Sequence, residues 1–202
     1  MLWQVEPLAD DDLAHISPQT IAGIAVALKQ AATPAFREYA TQVIKNTKTI
    51  GEELVKHDYK LQTEGSDNHL VLWDLRPLGL TGSKIEKICD LAHITLNKNS
   101  VPGDKSAATP GGVRIGSNSL TSRSMFEPEM RTVADFLHRA VQIGLQAQKE
   151  AGSKLLKDFV ARLQGDGEAA KALAQLTHDV HEFAERFPLP GVPDSASIKR
   201  VE

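Results

Sequence analysis

The feature that most constrains this chain is a change of apolar period in its middle third. From Phe36 to Leu54 the apolar positions Phe36, Tyr39, Val43, Ile50 and Leu54, with Thr47 among them, recur at spacings of three and four. That is one stripe of an amphipathic helix. From Tyr59 to Leu75 the runs are short and bounded by turn residues; His69-Leu70-Val71-Leu72-Trp73-Asp74-Leu75 lies between Gly65-Ser66-Asp67-Asn68 and Pro77. Such runs are strands. Helical spacing then returns at Ile85 and Ile88, and dominates after Glu127. A chain that switches period twice predicts an α+β fold, with a small antiparallel or mixed sheet covered by helices and long helices flanking it.

The element boundaries follow from capping and turn chemistry. Ser17-Pro18 starts a helix carrying Ile21, Ile24, Val26 and Leu28 to about Gln30, through a hydroxyl cap and a proline in the first turn. Thr33-Pro34 caps the next helix, to about Lys56, which at 1.5 Å per residue is roughly 34 Å long and predicts packing beyond its own sheet. Tyr59-Lys60-Leu61, Ile94-Thr95-Leu96 and Val113-Arg114-Ile115 are further short strands, and Thr81 or Ser83 caps a helix with Ile85, Ile88, Cys89 and Leu91. A Pro/Gly-rich loop fills 101–112. Three later helices begin at Glu127-Pro128, near Leu155 and near Glu168, the last ending by Phe187 before Pro188-Leu189-Pro190-Gly191. The expected organisation is an acidic irregular lead-in at 1–16, a helical segment at 17–56, a domain at 57–192 and a flexible tail at 193–202.

Composition excludes several classes. The chain has 202 residues, 41% of them apolar, enough for one sizeable core. A formal charge of -3 argues against a general nucleic-acid footprint. The single Cys89 cannot form an internal disulfide. No stretch is long and apolar enough to span a bilayer. The start of the sequence, with Asp10-Asp11-Asp12, resembles neither a secretory signal nor a transit peptide. A cytoplasmic or mitochondrial compartment is expected.

Candidate chemistry concentrates in two loops. Asn97-Lys98-Asn99-Ser100-Val101-Pro102-Gly103-Asp104 places amides and charges where ligands are commonly recognised. Gly111-Gly112-Val113-Arg114-Ile115-Gly116 allows close backbone approach, and the planar Arg114 fork suits a carboxylate, though an isolated arginine also reads as a surface ion pair. Asp67, Asn68 and His69 fit either a binding-site rim or an ordinary turn. His178 and His181 share a helix face, but two histidines make an incomplete metal site, and a polar surface is the expected reading. His138 reads as a packing or surface histidine. No metal site is expected.

Several runs together resemble the C-terminal portion of serine hydroxymethyltransferase, a pyridoxal-phosphate enzyme family of fold type I. They are Ser66-Asp67-Asn68-His69-Leu70-Val71-Leu72-Trp73-Asp74-Leu75-Arg76-Pro77-Leu78-Gly79, the segment from Ile94 to Ser106, Gly111-Gly112-Val113-Arg114-Ile115-Gly116-Ser117, Arg131 to His138, and Arg186-Phe187-Pro188-Leu189-Pro190-Gly191. The resemblance covers roughly residues 18–192. It implies that Arg114 holds the carboxylate of an amino-acid substrate, that Asn99 lies near a folate ligand, and that Arg123 is an active-site arginine. The family activity it implies moves a one-carbon unit between serine and tetrahydrofolate, with pyridoxal phosphate as electron sink.

The departures matter as much. The family's Schiff-base lysine segment has no counterpart here, and neither do the groups that hold the cofactor ring. Lys98 belongs to the retained Asn-Lys-Asn motif. Ser124 stands where the family has glycine. No catalytic or cofactor-binding residue is therefore expected in the isolated chain. Pyridoxal phosphate and tetrahydrofolate are expected only if a complementary domain is supplied. The leading expectation is a non-catalytic accessory or structural subunit held in a larger assembly by a protein partner, a complementary large-domain chain or another copy of itself. The alternatives are one half of a split or truncated enzyme, or a binding module for an amino acid or folate.

Overall fold

A computed structural model describes residues 17–106, 109–153 and 155–191. The expected lead-in at 1–16 and tail at 193–202 lie outside the described residues. Contacts divide the chain into two units, one up to Thr41 and one from Gln42 onward.

In the first unit, helix α1 (Pro18–Ala31) has proline at its start and no buried residue. Ile21, Ile24, Val26 and Leu28 are all more than half exposed. The Ser17 hydroxyl bonds the Gln19 side chain instead of capping a backbone amide. Helix α2 (Pro34–Lys56) begins as the sequence predicts, with the Thr33 hydroxyl accepting the Phe36 N–H at 3.2 Å. Its stripe is used unevenly. Phe36 is exposed, whereas Val43, Thr47, Ile50 and Leu54 in the second unit are buried.

The second unit is α+β. Its sheet contains β1 (Lys60–Leu61), β2 (Leu70–Asp74), β3 (Asn97–Asn99) and β4 (Gly112–Gly116), in the order β1-β2-β4-β3 with every pair antiparallel. After β2 a 3₁₀ turn (Arg76–Leu78) ends on Gly79 at φ 68°. Helix α3 (Gly82–Leu91) follows, then β3, β4 and the short α4 (Asn118–Ser122). Helices α5 (Glu127–Ala151), α6 (Leu156–Leu163) and α7 (Glu168–Ala184) complete the unit. Val71, Trp73, Val113 and Ile115 alternate onto one face and are buried with Leu54, Ile85, Ile88, Met130 and Leu137. Helix α3 lies so close to β4 that a Cβ on Gly82 would stand 2.1 Å from the Gly112 carbonyl oxygen.

Two local expectations are corrected. The third strand is Asn97–Asn99, not Ile94-Thr95-Leu96. His93 turns the chain at φ 61°, Ile94 N–H bonds the Cys89 carbonyl, and Ile94 and Leu96 pack on the core as a connection. The ladder starts only where Asn97 meets Arg114. Thr81 does precede α3, but neither it nor Ser83 supplies a side-chain cap; Gly82 N–H instead bonds the Pro110 carbonyl at 2.8 Å.

A polar seam joins α2 to α4. The Asn46 amide donates to Thr121 Oγ1 and to the Met125 carbonyl, both at 2.9 Å. Thr47 Oγ1 and Ser117 Oγ are 2.7 Å apart, and Ser117 also donates to the Val43 carbonyl. All four side chains are buried and every one is bonded, so the seam fixes the register of α2 without leaving an unsatisfied group.

Candidate functional site

The alternation that buries Val113 and Ile115 sends Arg114 to the opposite face of the sheet, where it is exposed. Its register neighbours are Leu72 on β2 and Asn97 on β3. Two residues along β3, Asn99 shares that face. It is half-buried, and its amide nitrogen donates to the Ser100 carbonyl at 2.8 Å, which leaves its side-chain oxygen as the acceptor end. Diagonal positions of this kind stand roughly 7–8 Å apart, within reach of one small ligand. Two of the three site residues implied by the resemblance therefore share one face.

Arg123 is placed elsewhere. It follows α4, and its guanidinium donates to the carbonyls of Ala184 at 2.5 Å, Phe187 at 3.0 Å and Pro188 at 3.3 Å. Those carbonyls lie at the last residue of α7 and in the turn that follows it, where a cation is favoured. Arg123 also rims an apolar cleft of about 250 Å³ floored by Met125, Phe136, Leu137 and Phe183.

The residues that shape the Arg114 face were not singled out by spacing. Asp74, 1% exposed, accepts Arg76 Nε at 2.9 Å and Nη2 at 2.8 Å, as well as the Arg76 backbone N–H. Arg76 chiefly, and Lys60 beyond it, hold the Asp74 carboxyl below the usual range. Arg76 Nη1 reaches Asp104 Oδ1 at 3.4 Å. The other Asp104 oxygen accepts the backbone N–H groups of Val101 at 2.9 Å and Gly111 at 2.8 Å. These bonds, Gly111 first, depress the Asp104 carboxyl. Only the closing Asp of the Asn97–Asp104 run hinted at this.

Asp67, Asn68 and His69 form a turn: Leu70 N–H bonds Asn68 Oδ1, and Ser66 Oγ bonds the Leu70 carbonyl at 2.6 Å. This turn borders a groove of about 820 Å³ beside Leu70 and Leu72. His178 and His181 are exposed, with His181 Nε2 at 3.6 Å from Glu185. Among the described residues no group of three or more His, Cys, Asp or Glu side chains could hold a metal. His138 stacks on His57, with ring centroids 4.1 Å apart, and bonds Tyr59 Oη through Nδ1 at 2.8 Å.

Three lysines close to the sheet are engaged by other groups. Lys98 pairs with Val113 in the ladder, so it points away from the Arg114 face, and its ammonium is 2.6 Å from Glu86 on α3. Lys84 is buried against Gln148 and the Phe159 ring. Lys60 lies 3.6 Å from Asp74. The face carries a guanidinium, on Arg114, and an amide, on Asn99, on neighbouring strands.

A family model described as serine hydroxymethyltransferase matches residues 15–137. The chain is 52% identical over 171 residues to serine hydroxymethyltransferase 4 of Arabidopsis thaliana, a match covering 85% of this chain and 35% of that protein. It is 50% identical over 172 residues to serine hydroxymethyltransferase of Caenorhabditis briggsae, covering 85% and 34%. With cytosolic serine hydroxymethyltransferase of Oryctolagus cuniculus it shares 47% identity over 174 residues, covering 86% and 36%. The chain thus spans about a third of the length of these relatives. Its sheet, its helices and its matched sequence agree, and the chain belongs to the serine hydroxymethyltransferase family.

Proposed function

We propose that this chain is a serine hydroxymethyltransferase-derived accessory subunit, not catalytic by itself, that works when docked on another polypeptide. The observation that carries this reading is α1, an apolar helix with one charged residue, Lys29, and not one buried side chain. A contiguous exposed apolar surface of this kind is a docking surface in a soluble protein. Among the described residues no helix is long and apolar enough to cross a membrane. The proposed partner is a protein. The test is purification of the tagged chain from its native extract, followed by mass identification of bound chains. One stoichiometric partner supports the proposal, and a dispersed monomer defeats it.

A second reading has its own observation. Arg114 and Asn99 share one sheet face, an arrangement suited to a carboxylate and a polar group of one ligand. In that reading the chain is one half of a split enzyme, and a second polypeptide supplies the pyridoxal-phosphate domain. The complete pair then cleaves serine and passes the one-carbon unit to tetrahydrofolate. Mixing the chain with such a domain then restores cofactor absorbance and serine cleavage together. A partner found in the first experiment that brings no such absorbance favours the accessory role.

A further inference from the structure

The ladder that brings Asn99 beside Arg114 is short. β3 and β4 share three register pairs, Asn97↔Arg114, Lys98↔Val113 and Asn99↔Gly112, and β3 is an edge strand. So few pairs fix the register of β3 weakly, and a shift of β3 by one residue would turn Asn99 to the other face, away from Arg114, which the five β2–β4 pairs hold in place. Something beyond the ladder holds the two strands, and a single carboxylate does so.

Asp104 Oδ2 accepts Val101 N–H, two residues after Asn99, and Gly111 N–H, three residues before Arg114. Both ends of the connection between the strands are therefore tied to one atom. Asp104 is tied in turn, through Arg76, to Asp74, whose register partner on β4 is Gly112. Gly111 is required by the closeness of this packing. A Cβ there would stand 2.6 Å from Asp104 Oδ1 and 2.7 Å from the Arg76 Cγ and Cδ atoms. We propose that Asp104, steadied by Arg76, is a positioning residue that sets Asn99 and Arg114 as a two-point grip for a small carboxylate ligand such as an α-amino acid. Asp104 does not touch that ligand. Its action is to hold the β3 end and the β4 start at a fixed separation, so that the grip is formed before the ligand arrives. The proposal rests on the reading of Arg114 as a carboxylate holder.

The charged groups facing Asp104 are Arg76 on the 3₁₀ turn and Asp74 on β2, and Lys60 on β1 faces Asp74. An acid titration of the full isotope-labelled chain, followed by nuclear magnetic resonance, reads the coupling directly. The observed signals are the carboxyl carbons of Asp104 and Asp74, the amides of Val101 and Gly111, the Asn99 side-chain amide and Arg114 Nε. Asn99 and Arg114 are expected to move with the midpoint of the Asp104 carboxyl. In Asp104→Asn that midpoint is expected to vanish from both, with partial return in Asp104→Glu. Glycine, added as the probe, is expected to bind Asp104→Asn about tenfold more weakly than the parent chain while its contacts still map to Arg114.

If Val101 and Gly111 follow Asp104 but Asn99 and Arg114 do not, the staple is a loop anchor only and the proposal is overturned. If the parent chain gives no glycine-induced shift at Arg114, the carboxylate reading fails, and the acid titration alone then judges the positioning role. Should Asp104→Asn not fold, the titration of the parent chain still decides, because it needs no variant.

Discussion

Ser124 occupies a backbone position at φ 60°, between the end of α4 and Met125. An L-residue in the left-handed region gives up about 1–2 kcal/mol relative to its ordinary conformation, and glycine does not. Its partial offset is the greater freedom glycine loses on folding. Ser124→Gly is therefore expected to stabilise the chain by about 0.5–1 kcal/mol, read as a rise in urea midpoint at unchanged slope. The neighbouring Arg123 gives the opposite sign. Removing it by Arg123→Ala leaves three carbonyls, at the last residue of α7 and just after it, without their charged donor, at a cost of about 2 kcal/mol. Faster amide exchange over 180–187 than in the rest of the unit would place the loss at α7. At this scale the family resemblance implied a glycine where Ser124 stands, and the residue type alone gave Arg114 its planar fork. Neither showed that Arg76 and Asp104, 28 positions apart, meet. Spacing carries information along a helix or strand and none across a loop closure.

At the scale of elements, legibility depended on how much of the signal was apolar. β2 and α5 were readable because alternation and helical spacing have one solution each. β3 was misplaced by three residues because its pairing is set by Gly112 and Arg114 on the neighbouring strand, while its own residues, Asn97-Lys98-Asn99, are polar. The closure between α2, β1 and α5 was equally hidden, since it is made by polar rings. His57 at the end of α2 stacks on His138 of α5, and Tyr59 bonds His138 Nδ1. Burial first, and then the facing His57, push the His138 imidazole below its ordinary value, with Asp135 opposing. The neutral ring accepts the Tyr59 O–H, whereas the protonated ring must donate through Nδ1. Because the folded pKa is depressed, this contribution is complete above the unfolded value of about 6.5 and is lost as pH falls toward the folded value. Urea midpoints are thus expected to fall between pH 7 and 5 in the parent chain. His138→Gln, which keeps an acceptor but does not titrate, is expected to flatten that window. An unchanged slope in His138→Gln would assign the acid loss to other groups.

At the scale of the whole molecule, the fold class was readable from the two changes of period, but the division of labour along α2 was not. One amphipathic stripe looks the same whether it meets a core or nothing. The structure separates the two cases: the buried apolar residues all lie from Val43 onward, among the described residues, and the contact division falls between Thr41 and Gln42. The core, the Asn46 seam and the Arg114 face therefore belong to one unit, and the exposed α1 belongs to the other. A chain shortened to residues 42–202 is expected to unfold cooperatively with stability within about 1 kcal/mol of the parent, the difference reflecting a new helix start in place of the Thr33 cap. It is also expected to lose the proposed partner, because Ile21, Ile24, Val26 and Leu28 leave with the deletion. The Asp104 titration should survive, since all its groups remain. If the shortened chain unfolds, the second unit does not fold without the residues before Gln42. If it folds and still captures the partner, the docking surface lies on the second unit, and the sheet face around Leu70 and Leu72 becomes the surface to mutate.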